Sequence, residues 1–212
     1  MNSKCRKIHE LLFKEYGTIP CPLKHETPFQ LMIAVMLSAQ CTDKQVNKVT
    51  PVLFSQHPTV EQLSEIPLIE LETIIRSTGF YHNKAKNILK TCIIIKEQYK
   101  RKLPQDIETL ITLPGIGRKT ANVIVTQAFN KPGFAVDTHV IRLLNRIGIV
   151  NTRDPVKIEF AIRKFLPLKL LDSFSLLLIT HGRTCCTARK PDCKNCFINF
   201  LCMSRQKLEF RI

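Results

Sequence analysis

The chain has 212 residues, 44% of them hydrophobic and 23% charged, a balance that excludes a disordered polymer and leaves room for a sizeable core. Lys and Arg number 32 against 17 Asp and Glu, a net charge of +15, so the expected partner is a polyanion: nucleic acid or an anionic membrane surface. The longest uninterrupted apolar run, 31–37, is far too short to span a bilayer, and no apolar stretch follows the basic residues of the first ten positions. Neither a membrane span nor a secretory signal is expected, which leaves nucleic acid in a cytoplasmic setting.

Along the chain the pattern is helical throughout. Residues 3–16 place Ile8, Leu11, Leu12 and Tyr16 at helical spacing, with charge on the other side. Pro20, Pro22 and Pro28 mark a linker. Residues 29–39 are apolar nearly all round, as a central buried helix should be; Ser38-Ala39-Gln40 close it and Thr42-Asp43 cap the next. Thr59 and Gln62 fit a capping box for a short helix towards Ile66, Pro67 stops it, and another helix covers 68–77. A glycine turn at Gly79 then carries Phe80 and Tyr81, which on composition alone read as core aromatics. Asn83 is the expected cap of a helix over 84–99, whose apolar face is Ala85, Ile88, Leu89, Cys92, Ile95 and Tyr99. Pro104 opens a short helix. After a break at Pro132-Gly133, Asp137 starts a helix to about Ile147, Asp154-Pro155 start another, and 170–182 form the last long one. With no useful period-2 run, internal repeat or low-complexity tract, the expected fold class is all-α.

Two stretches carry chemistry. The first is 113–124, where two apolar helical segments flank Pro114-Gly115-Ile116-Gly117. Proline stops the first helix, and the two glycines are expected to supply positive φ and to remove Cβ atoms from the turn. Ile116 would point inward and pin it. Such a turn presents backbone N–H groups where the next helix begins, and a helix N-terminus suits a phosphate. This is how a helix-hairpin-helix holds a nucleic-acid backbone without reading its sequence. Arg118 and Lys119 follow in the first helical turn. An ordinary helical turn with a solvated Lys119 is the bland alternative, and the adjacent cations favour DNA.

The second stretch is cysteine-rich. Cys5, Cys21, Cys41 and Cys92 are scattered, whereas five cysteines crowd between Cys185 and Cys202. Such a cluster in a chain expected to be intracellular points to metal rather than disulfides. Cys186, Cys193, Cys196 and Cys202 have the spacing C-x6-C-x2-C-x5-C, which fits structural zinc or a [4Fe–4S] cluster. Having only one C-x2-C knuckle tilts the choice to the cluster, and Cys185 leaves the first ligand ambiguous. Arg189 and Lys190 ride on the x6 segment as a candidate phosphate clamp or a solvated turn. Arg142 and Arg146, four apart on one helix face, could pair with carboxylates or phosphates, and the sequence does not decide between them.

Taken together, Leu113-Pro-Gly-Ile-Gly-Arg-Lys-Thr-Ala-Asn-Val, Ala135-Val-Asp-Thr-His-Val, His181-Gly-Arg and the cysteine tail resemble bacterial endonuclease III over nearly the whole chain. The resemblance implies a DNA glycosylase with AP-lyase activity on oxidised pyrimidines in double-stranded DNA, nucleoid-associated and bacterial. It implies a six-helix domain carrying the hairpin and a second domain joining the first helix to a C-terminal [4Fe–4S] segment, with DNA across the cleft between them. With the breaks near Pro20 and Pro132, the expected division is 21–131 against 1–20 plus 132–212. A monomer is expected, since the cleft would serve one duplex.

By the same resemblance Lys119 is the nucleophile. Its amine must be neutral to attack, and the helix end, Arg118 and partial burial are each expected to lower its pKa. Asp137 stabilises sugar cation or assists proton transfer, besides capping its helix. Reaching a base inside a duplex requires flipping it out, and the resemblance assigns the filling of the hole to Gln40 and Phe80. Phe80 stands where leucine is expected in better-known members, which puts opposite-base preference in question. Cys41 stands where alanine is expected, and reads as a small buried residue. Gly115, Gly117, Arg118, Arg189 and Lys190 complete the expected DNA contacts. The adenine-specific mismatch relatives carry a further C-terminal domain and lack the lysine; thymine-mismatch relatives likewise lack the lysine. A non-catalytic, zinc-stapled hairpin module is the alternative from another class.

Overall fold

The computed structural model describes residues 2–204, and among these it contains helices and no strand. The chain divides into two compact units, 21–131 and 1–20 with 132–212.

The central unit holds seven α-helices: α2 (Pro28–Leu37), α3 (Asp43–Gln56), α4 (Val60–Glu65), α5 (Leu68–Ile75), α6 (Tyr81–Gln98), α7 (Ile107–Leu110) and α8 (Arg118–Phe129). α7 is a single turn. Helix α2 is buried from Phe29 to Leu37 and packs against α3, α6 and α8, so the unit is built around it. Its only buried polar side chain, Gln30, accepts the Glu26 N–H at 2.8 Å, which removes the cost of an unpaired amide oxygen. Thr27, Thr42, Thr59 and Asp106 each cap a helix with a side-chain oxygen. Ile88, Cys92 and Ile95 of α6 are fully buried, whereas Leu89 and Tyr99 are only partly covered.

Two boundaries differ from expectation. α5 ends at Ile75 and continues as a 3-10 turn over Arg76–Thr78. α6 begins at Tyr81, two residues before Asn83, because Gly79 (φ +69°) and Phe80 (φ +51°) are both left-handed and turn the chain there. The Lys84 N–H then donates to the Phe80 carbonyl, so Asn83 lies inside the helix and does not cap it.

The discontinuous unit contains α1 (Asn2–Tyr16), α9 (Thr138–Ile147), α10 (Pro155–Phe165) and α11 (Leu171–Thr184). α11 packs against both α1 and α9. Cys5, Ile8 and Leu12 of α1 meet Val140, Leu143, Leu144, Phe174 and Leu178 in one apolar cluster. α9 faces this cluster with one side only, which leaves its arginines for other work.

Candidate nucleic-acid interface and cysteine centre

The hairpin connects α7 to α8. Leu113 and Ile116 are buried, the Ile116 N–H donates to the Leu113 carbonyl at 3.1 Å, and fully buried Thr91 of α6 donates its hydroxyl to the Pro114 carbonyl at 2.8 Å. Ile116 thus pins the turn inward, and Thr91 fixes its backbone. Gly115 is left-handed at φ +78°, and a Cβ there would come 2.9 Å from the Asn87 Cβ, so this position requires glycine twice over. Gly117 differs from expectation. Its backbone is extended (φ −86°, ψ 171°), open to any residue, and an added Cβ would meet nothing within 4 Å. What its lack of a side chain does is leave the N-terminal amides of α8 uncovered, since Gly117 is the N-cap and offers no capping oxygen. Arg118 is half-buried and its Nη1 donates to Glu108 Oε1 at 3.1 Å. Lys119 is exposed. The partial burial expected for it is absent, because the next residues, Ala121 and Asn122, turn the covered face of α8 away from it.

Gln40 and Phe80 belong to the same unit. Both are exposed, Phe80 by 63%, so Phe80 is no core aromatic. Both are left-handed without being glycine, at φ +53° and +51°. Such backbones cost roughly 1–2 kcal/mol each and persist only where the surroundings enforce them. Together with Asn83, Lys84, Asn87 and Gly115 they line a cavity of about 200 Å³, which places the two side chains beside the hairpin. Cys41 is half-buried rather than buried.

In the discontinuous unit, Asp137 caps α9, its Oδ1 accepting the Val140 N–H at 2.9 Å. That commits one carboxylate oxygen and leaves the second as an acceptor from a half-exposed position. Downstream, Cys185, Cys186, Cys193, Cys196 and Cys202 line a single cavity of about 370 Å³ with Arg146, His181 and Arg189. Among the described residues, the one group of three candidate ligand atoms within 4.8 Å of one another is His181, Cys185 and Cys196. No three of Cys186, Cys193, Cys196 and Cys202 gather that closely. A single tetrahedral zinc with sulfur bonds of about 2.3 Å would need its four sulfurs roughly 4 Å apart. Four thiolates lining one cavity are a donor set that suits either zinc or an iron–sulfur group. Burial pushes the Cys196 thiol up to about 12 and raises Cys193 as well, so these sulfurs become thiolates only against a cation.

Arg142 and Arg146 are held by backbone carbonyls rather than by carboxylates. Arg142 donates to the carbonyls of Gly182 and Cys186 (2.9 and 3.0 Å) and lies 3.0 Å from His139 Nδ1. Arg146 donates to the carbonyls of Thr187 and Ala188 at 2.7 and 2.8 Å and to Cys186 Sγ at 3.3 Å. The signal for this was the four-residue spacing on a helix whose other face is apolar, but backbone carbonyl partners leave no trace in sequence. Gly182 admits the arrangement: a Cβ there would sit 2.8 Å from His139 Nδ1 and 3.1 Å from Arg142 Nη2. His181 is 1% exposed, and burial pushes its imidazole down to about 4, so it is neutral; its Nδ1 meets the Tyr16 hydroxyl at 2.9 Å and its Nε2 meets Cys196 Sγ at 3.5 Å. Sequence reasoning quoted His181 in a motif but gave it no role. Arg189 and Lys190 are exposed on the loop that Arg146 holds.

Known proteins share this sequence and this backbone. The family HhH-GPD, described as HhH-GPD superfamily base excision DNA repair protein, matches residues 33–168. Endonuclease III of Synechocystis is 46% identical over 210 residues, covering 97% of this chain and 96% of the relative. A solved non-covalent endonuclease III–DNA complex superposes with a TM-score of 0.92 at 40% identity, covering 100% of this chain and 99% of that one. A trapped endonuclease III–DNA covalent intermediate with an estranged adenine gives the same TM-score and identity over 99% of each chain. With its hairpin, its cysteine-lined cavity and near full-length similarity in sequence and backbone, the chain belongs to the endonuclease III family of HhH-GPD base excision DNA repair proteins.

Proposed function

We propose that Lys119 is the nucleophile of the DNA glycosylase/AP lyase activity on oxidised pyrimidines that this endonuclease III family member carries. The observation that supports it most is local. An exposed lysine sits in the first turn of α8, directly after a hairpin that leaves the amides of that helix open to a phosphate. Phosphate contact at Gly115 and Gly117 orients the sugar before any bond is made. The neutral amine attacks C1′, the N-glycosidic bond breaks, and its electron pair and a proton leave with the base. The adduct nitrogen loses a proton, and its lone pair then breaks the C1′–O4′ bond while O4′ takes up a proton, giving an iminium that acidifies C2′. Removal of a C2′ proton expels the 3′ phosphate, and water then releases the lysine. Asp137 stabilises positive charge developing at the sugar or moves a proton with its uncommitted oxygen.

Gln40 and Phe80 fill the hole left by the extruded nucleotide. Cys186, Cys193, Cys196 and Cys202 hold a [4Fe–4S] cluster, which staples the C-terminal segment. Arg189 and Lys190 clamp phosphate, and the protein acts as a monomer in the bacterial cytoplasm, at the nucleoid. Among the described residues no helix is long and apolar enough to cross a membrane.

Borohydride trapping on a labelled duplex with one thymine glycol tests the assignment. Lys119→Ala is expected to abolish the covalent adduct and strand cleavage while retaining DNA binding. Trapping that survives the substitution makes another amine the nucleophile.

A further inference from the structure

Lys84 has no role in the reaction above, yet it is the most unusual side chain of the central unit. It lies in the first turn of α6, only 8% exposed, and faces no carboxylate. Its ammonium donates to two backbone carbonyls, Leu37 and Thr78, both at 2.8 Å. Leu37 is the last residue of α2, three positions before Gln40; Thr78 ends the 3-10 turn, two positions before Phe80. Each acceptor belongs to the end of a helical segment, where carbonyls lack partners along the helix. One buried cation therefore ties together the two chain segments that carry left-handed, exposed Gln40 and Phe80.

We propose that Lys84 is a positioning residue for base extrusion: its ammonium clamps the 37–41 and 78–81 segments so that Gln40 and Phe80 enter the duplex as one preset pair. The proposal rests on the reading of Gln40 and Phe80 as the residues that fill the hole. Burying an ammonium without a carboxylate partner is costly, and burial here holds the Lys84 amine below the usual lysine range, opposed only by the nearby Cys41 thiol. A hydrocarbon of the same length would fill this space at less cost, so the two carbonyl contacts are what the charge is retained for. They also meet a specific need. A non-glycine residue stays left-handed only where its neighbours over-determine it, and two such residues must hold their shape as bases unstack around them. Gln40, Phe80 and Lys84 line one cavity of about 200 Å³, so the lysine lies beside that pair. A separate contact just outside these segments, from Gln45 Nε2 of α3 to Ser77 Oγ of the 3-10 turn at 2.7 Å, does not involve Lys84.

The test is a mutant cycle read in two assays. Single-turnover excision of thymine glycol from duplex depends on extrusion, and fluorescence of 2-aminopurine beside the lesion reports unstacking. Lys84→Met is expected to slow excision about 10-fold or more and to reduce the fluorescence change, since small misplacements cost this much. In a Gln40→Ala/Phe80→Ala background the same substitution is expected to have no further effect, because its only route of action is gone. Lys84→Gln, which keeps an amide donor, replaces Lys84→Met should the latter fail to fold, with the same pattern expected. An equal loss in both backgrounds makes Lys84 a general structural residue and overturns the proposal. No loss from Lys84→Met where Gln40→Ala/Phe80→Ala is slow overturns it and leaves the wedge reading standing. No loss from Gln40→Ala/Phe80→Ala removes the wedge reading and the proposal with it.

Discussion

The hairpin and the cysteine loop are both irregular segments that must hold a fixed shape, and they do so by different means. The hairpin is wedged between core helices: Leu113 and Ile116 are buried, Thr91 bonds its backbone, and Gly115 fits against Asn87. The cysteine loop has far less apolar support. Of residues 185–202 only Ile198 is fully buried, and the backbone of 186–188 is instead held by charged donors from Arg142 and Arg146. Charge-assisted bonds to carbonyls hold a loop in place without desolvating much surface, but they close no core. The difference teaches that the first segment is held by packing and one hydrogen bond, whereas the second arranges its cysteines round a cavity and depends on charged donors for its shape.

The largest effect expected from that contrast lies in the cysteines. Cys193→Ser or Cys196→Ser should remove the visible absorption of the purified protein and much of its soluble yield, because metal binding here is folding free energy. Cys185→Ser should leave both nearly unchanged if Cys186 is the first ligand. The pairing of Cys185 with His181 and Cys196 makes this a real choice. Stoichiometric zinc without iron after anaerobic preparation overturns the cluster assignment.

Next in size is Asp137→Asn. Asparagine keeps an N-cap acceptor for the Val140 N–H, so α9 and its two arginines should stay in place. The carboxylate charge is lost, and base excision should fall by roughly 10²-fold or more with DNA binding retained. A variant that instead releases iron would tie Asp137 to the loop through α9, and the two modes of support would no longer be separable.

The hairpin's own prediction is smaller and internal. Gly115→Ala should lower stability by about 1–2 kcal/mol from the left-handed backbone alone, with the Asn87 contact adding to it, as measured by urea unfolding. Gly117→Ala should leave stability within about 0.5 kcal/mol, since its backbone is ordinary and its Cβ is free of contacts. It should nevertheless weaken binding to undamaged duplex. Equal stability losses at both positions would mean that the turn needs both glycines for folding, and the reading of Gly117 as space for a phosphate fails.

These differences track what could be read along the chain. Thr42, Thr59, Asp137 and Asp154 announced their helices because a capping oxygen and its N–H lie within three residues of each other. The all-helical class followed from the same short-range periodicity. The start of α6 was missed because Phe80 stands left-handed, a conformation no local rule assigns to phenylalanine. Lys84 has its acceptors 47 and 6 residues away, and no local pattern marks such a lysine. Arg142 and Arg146 reach carbonyls about forty residues downstream, and a carbonyl acceptor has no residue type by which to recognise it. The covered face of α8 turned out to exclude Lys119, which one residue of phase decides and the motif does not.

The smallest expected effect concerns what the cysteine loop presents to DNA. Arg146 pins the carbonyls of Thr187 and Ala188, and the Thr187 hydroxyl donates to the Lys190 carbonyl at 2.6 Å. This fixes the backbone of the segment while its two cations, Arg189 and Lys190, remain exposed. A loop so braced loses little entropy when its cations meet phosphates. Each phosphate neutralised releases condensed counterions, so each contact adds about 0.9 to the slope of log binding constant against log salt. Arg189→Ala/Lys190→Ala should therefore reduce that slope by roughly 1–2 on undamaged duplex while leaving iron content, absorption and excision at saturating enzyme unchanged. Arg118→Ala offers the matching measurement on the hairpin side, where the guanidinium is already held by Glu108 and a smaller change in slope is expected. An unchanged slope in the double variant returns the loop to a solvated turn. The metal centre would then hold only the C-terminal segment, and the grip on DNA would belong to the hairpin unit alone.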